Sequence, residues 1–111
     1  MKNLDLQEIR KKLDGIDARL VELFQERMRL CCDVAEYKLE TGKAVYDGKR
    51  EKEKLEAVES MAGGDFNRQA VRELFTQMMT VSRKRQYQIL ADHGQTVDLG
   101  FEEIPFLKTE G

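Results

Sequence analysis

Five polar side chains occupy positions where the helical pattern of this chain otherwise places apolar ones. The seam of the N-terminal segment runs through positions 6, 9, 13, 16, 20, 23, 27, 30 and 34, and Arg27 alone interrupts it. Lys38 follows eleven residues later, which at about 100° per residue puts the two cations within about 20° of each other, three turns apart. Further on, Glu51 shares a face with Leu55 and Val58 at i, i+4 and i+7. Ser82 and Gln86 stand i, i+4 apart and continue the face of Phe75, Met78 and Ile89.

Singly, each has an ordinary structural explanation. An Arg can set register or snorkel outward, a buried Ser can bond its own backbone, and Arg27 with Glu51 can form an internal ion pair. Together, two cations, a carboxylate, a hydroxyl and an amide directed inward from three helices are expensive to bury unless something polar fills the space between them. The chemistry that fits is electrostatic capture of a small anion. Arg10 stands seventeen residues before Arg27, about 25 Å away along the axis and rotated by about 100°, so it cannot serve the same pocket from the same helix. A second copy of the chain could bring it there.

Other candidates are weak. Cys31 and Cys32 are adjacent in a helical pattern, so their side chains diverge by about 100° and an ordinary disulfide between them is implausible. Two neighbouring thiols and one distant histidine make a poor metal set, and no metal or cofactor is expected. His93 reads as a surface residue. The alternating charges of residues 49–54 form a solvated face, apart from Arg50 and Glu51. The basic cluster "SRKRQ" at 82–86 is poor support for a nucleic-acid partner in a chain of net charge -2 that lacks interleaved aromatics.

The elements that must position these residues are helices. Helix 1 is expected over about residues 5–41, with Asp5 or Asn3 at its start and Thr41-Gly42 at its end. Helix 2 is expected to start from Asp47 as N-cap and to run to the Gly63-Gly64 break. Asp65 or Asn67 opens helix 3. No segment alternates as a strand would, so the fold class is all-α, with one helical domain over residues 1–92 and a tail or linker over 93–111.

Length constrains assembly. Helix 1 would be about 55 Å long, whereas a compact chain of this size has a radius of gyration of about 13 Å, so the helix overhangs its own domain. An overhanging seam needs another chain to cover it, and an interlocked helical homodimer follows. Acids among the first ten residues, with no apolar signal or membrane-length stretch, make a cytoplasmic protein the simplest reading and give no reason to expect a membrane partner.

These residues carry a resemblance. The stretch "IRKKLDGIDARLVELFQER" with Arg10 and Arg27, then "YKLETGKAVYDGKRE" with Lys38, Asp47, Arg50 and Glu51, then "SRKRQ" with Ser82 and Gln86, strongly resembles the all-helical chorismate mutases over about residues 5–92. The family pattern departs at Ala44, where members often have proline, and at Cys31-Cys32, where small aliphatic residues are usual. The resemblance implies an intertwined homodimer of three helices per chain and the intramolecular rearrangement of chorismate to prephenate without a cofactor. It further implies that Arg27 and a partner's Arg10 clamp the substrate carboxylates with Ser82 in support. Lys38 and Gln86 would donate to the ether oxygen and Glu51 would accept from the ring hydroxyl, while Asp47 and Arg50 shape the wall of helix 2. The tail resembles the connector into the prephenate dehydratase domain of bifunctional proteins, a downstream domain absent from these 111 residues. Two alternatives stand beside this reading: a non-catalytic module that senses chorismate or prephenate, and a lyase that removes pyruvate from isochorismate.

Overall fold

A computed structural model describes residues 3–94, which form three α-helices and, among the described residues, no strand. Helix α1 spans Leu6–Thr41, α2 Gly48–Met61 and α3 Asp65–Asp92. From residue 95 on, the expected tail lies outside the described residues.

Each helix boundary has a local cause. Asp5 Oδ1 accepts from the main-chain N–H of Gln7 at 3.0 Å, relieving one of the donors that the first turn of α1 leaves open. At the other end Gly42 adopts φ 74°, a left-handed conformation that costs glycine little, and its N–H donates to the Lys38 carbonyl at 2.8 Å. Asp47 is extended at φ -130°, ψ 93°, and its Oδ1 accepts from Arg50 N at 3.0 Å, so it caps α2 as expected. Asp65, one of the two expected openers, is the first residue of helix α3, and Gly64 is the cap, without a side-chain hydrogen bond. Asp65 instead pairs with Arg68 one turn on, at 2.9 Å.

The chain divides into two compact units, Met1–Leu30 and Cys31–Gly111, with α1 beginning in the first and ending in the second. In the first unit every residue from 3 to 26 is exposed, and Leu6, Leu13, Ile16, Leu20 and Leu23 each keep at least half of their surface in water. Full burial of one such side chain stabilises by about 1.5–3 kcal/mol, so this seam holds a large unspent hydrophobic contribution. The second unit contains the buried apolar residues Ala35, Val45, Val58, Met79, Tyr87 and Leu90. There α2 packs on α3, and the Arg72–Glu59 ion pair joins the two helices.

No helix among the described residues is long and apolar enough to cross a membrane. Cys31 and Cys32, both half-buried, form no disulfide. His93 is exposed at the end of α3, with Nδ1 2.8 Å from the Ile89 carbonyl.

Replacing Asp47 with Ala removes the cap of α2. Denaturant unfolding should show a loss of about 1 kcal/mol, the usual cost of deleting such a cap.

Candidate functional site

The second unit gathers a charged cluster from the end of α1, the segment before α2, and the facing sides of α2 and α3. Lys38 lies in the last turn of α1 and is half-buried. Past Gly42 the chain turns back, and Lys38 Nζ donates to the Val45 carbonyl at 2.8 Å. Val45 is itself buried, so the acceptor that holds the ammonium is part of the core. Burial pushes the Lys38 ammonium below its ordinary value of 10.5, while the Asp47 and Glu51 carboxylates, with a smaller contribution from Cys31, oppose that shift.

The next residue, Tyr46, folds back on the start of α2. A Cβ on Gly48 would stand 3.0 Å from the Tyr46 hydroxyl and 3.3 Å from its ring carbon Cζ, so the ring approaches this closely because residue 48 has no side chain. The Arg83 guanidinium lies 5.3 Å from the Tyr46 ring centroid, within the range of a cation–π attraction. Arg83 Nη1 donates to both carboxylate oxygens of Glu51, and Nη2 donates to Thr80 Oγ1 at 3.4 Å. The Arg83 and Glu51 side chains are only 14% and 22% exposed, so the pair is weakly screened by water.

Ser82 and Gln86 flank Arg83 on α3 and are both buried. Ser82 Oγ donates to the Met78 carbonyl at 2.9 Å, the backbone bond expected of a hydroxyl inside a helix. Gln86 Oε1 is buried with no hydrogen-bond partner among the described residues. Leaving such an acceptor unmet costs about 1–3 kcal/mol, a penalty that a polar occupant beside it would remove.

Lys38, Asp47, Glu51, Ser82 and Gln86, all expected at the site, thus belong to this second unit. Asp47 spends Oδ1 on its cap, and Arg50 is exposed with its main-chain N–H on that same oxygen. Arg10, exposed, and Arg27, half-buried, belong to the first unit. Glu51 is not an open carboxylate, because Arg83 already occupies part of its accepting capacity.

Sequence reasoning missed Arg83, Tyr46 and the Val45 carbonyl. Arg83 was read as one charge of a basic cluster. The signal was present, since Arg83 stands four residues after Met79 and four before Tyr87, both buried. It interrupts an apolar stripe just as Arg27 does.

The family model described as chorismate mutase type II matches residues 9–87. The chain belongs to that family. The matched region of this chorismate mutase type II chain runs from the first turns of α1 to the turn of α3 that carries Gln86, and it includes every expected site residue from Arg10 onward. The chorismate mutase of Methanocaldococcus jannaschii is 49% identical over 47 residues, which cover 42% of this chain and 48% of that protein. The aligned stretch therefore spans about half the length of that relative.

Heteronuclear NMR of the lysine side chains should find Lys38 titrating below 10.5. The fold disfavours its charged form, so the destabilisation this causes at neutral pH is relieved as pH rises through the lowered value. Binding of an anion that needs the ammonium should weaken over that same interval.

Proposed function

We propose that this chain is a chorismate mutase, rearranging chorismate to prephenate in sites that two intertwined copies complete. The observation that carries the reading is the presence, within one unit of a chain of this family, of a Lys38 ammonium fixed on a main-chain carbonyl and a buried Gln86 amide, whose Nε2 is the group able to donate to an oxygen. The rearrangement breaks a C–O bond and makes a C–C bond inside one molecule, so it calls for no nucleophile. The protein has two tasks: to hold a flexible dianion in its reactive conformation and to stabilise the negative charge that develops on the ether oxygen.

In this reading Lys38 and Gln86 donate to that oxygen. The carbonyl of Val45 takes one of the three ammonium hydrogens and leaves two for a ligand. Arg27 and the partner's Arg10 grip the two carboxylates, for which the planar guanidinium fork is suited, and Ser82 supports them. Glu51 accepts from the ring hydroxyl with the lone pairs that Arg83 leaves, and Asp47 and Arg50 shape the wall of α2.

The exposed seam of the first unit supports the homodimer: a helix that leaves five leucine and isoleucine side chains half or more in water gains by lying against a second copy. A cytoplasmic setting is part of this proposal. The finer part of this reading is that the tail from residue 93 resembles the connector of bifunctional mutase and prephenate dehydratase proteins.

Incubation with chorismate, followed by identification of the product, tests the proposal directly. Prephenate is expected; binding without turnover would indicate a sensing module, and release of pyruvate from isochorismate a lyase. Lys38→Ala should lower kcat/KM by more than the roughly 2.7–4 kcal/mol of a single oxyanion donor, because a charge is lost together with a hydrogen bond. Steady-state kinetics within tenfold of wild type would refute the role. Arg10→Ala and Lys38→Ala chains, each inactive alone, should recover about a quarter of wild-type activity when mixed and re-annealed, since half of the dimers then hold one intact site. No recovery would argue against a shared site.

A further inference from the structure

We propose that Arg83 is a positioning residue of the site: by gripping Glu51 and lying over Tyr46 it ties α2 and the segment before it to α3, and so holds the carbonyl on which Lys38 is anchored. The inference rests on the mutase reading above and deepens it.

The connections run through single bonds and one ring contact. Lys38 Nζ donates to the carbonyl of Val45, Tyr46 follows Val45 in the chain, and the Arg83 guanidinium stands 5.3 Å from the Tyr46 ring centroid. The same guanidinium donates to both oxygens of Glu51, thirty-two residues away. One planar cation on α3 therefore fixes a carboxylate on α2 and supports the ring beside the acceptor for an ammonium on α1. The far end of the Tyr46 ring lies beside Gly48, at the start of α2. Arg83 is suited to this task because Nη1 meets both Glu51 oxygens and Nη2 reaches Thr80 while its flat face remains available to an aromatic ring, a combination that lysine, with one nitrogen and no planar face, cannot reproduce.

Arg83 also acts electrically. Lys38 is faced by Cys31 on its own helix, by Asp47 in the segment before α2 and by Glu51 on α2; from α3, Arg83 neutralises Glu51. Removing Arg83 exposes Lys38 to the full field of the Glu51 carboxylate, which favours the ammonium. Lys38 should then lose its proton at higher pH than in the wild type.

The test compares the wild type with Arg83→Met, which keeps length and helix propensity, and with Arg83→Lys. For R83M the expected results are a fall in kcat/KM on chorismate of about 100-fold, the size that a small misplacement of reacting groups can produce, and an upward shift of the Lys38 titration read by lysine side-chain NMR. R83K should restore the Lys38 titration and leave part of the kinetic loss. A folded R83M with wild-type kinetics overturns the proposal, as does one whose kinetics fall while Lys38 titrates as before. Should R83M fail to fold, R83K decides, and wild-type kinetics in it overturn the proposal. A wild-type chain that leaves chorismate unchanged refutes the mutase reading instead, and the Lys38 titration in R83M still tests the coupling.

Discussion

An ammonium group held by a main-chain carbonyl is the constraint on which the second unit depends. Lysine carries its charge on a flexible four-carbon stem, and left in solvent it would give up considerable rotamer freedom to meet a ligand. The bond from Lys38 to the Val45 carbonyl removes much of that freedom in advance, and it exists because Gly42 turns the chain back past the end of α1. Val45 is buried, so the position of the charge is tied to the apolar core and not to a surface loop. Fixed charge of this kind is what a reaction governed by developing negative charge requires, because no reorganisation remains at the moment of reaction.

Around that fixed charge several polar groups are already engaged, and Gln86 differs from them. Glu51 is taken up by Arg83, Ser82 by the Met78 carbonyl and Asp47 by the first turn of α2. Gln86 keeps a buried amide oxygen for which the described residues supply no donor. A chain selected for stability alone would replace such a residue with an apolar one of similar size, so the stability cost at this position points to use.

Much of the architecture was legible because its causes are local. The three- and four-residue spacing of apolar side chains, the Asp caps and the glycine stop each act within one or two turns, and α1 and α2 lie where those signals put them. The inward polar residues on all three helices could also be recognised, since a charge in an apolar stripe is visible without knowing what it faces. What the sequence did not reveal was partnership across distance. The pairing of Arg83 with Glu51 joins residues thirty-two apart, and no periodicity encodes it. Arg83 was further obscured by Lys84 and Arg85 beside it, which made an inward cation look like one member of a surface patch. Gly64, as the cap of α3, was passed over because it offers no side chain to look for.

Gly48 illustrates how far the tight packing around Tyr46 reaches. The first residue of a surface helix is ordinarily among the most permissive places in a protein, open to serine, proline or glutamate alike. Here the methyl group of an alanine would already meet a phenol oxygen at 3.0 Å and press on a ring that an arginine of another helix lies against. A side chain at this position therefore reaches beyond its own helix: it shifts the phenol, and with the phenol the guanidinium that rests on it.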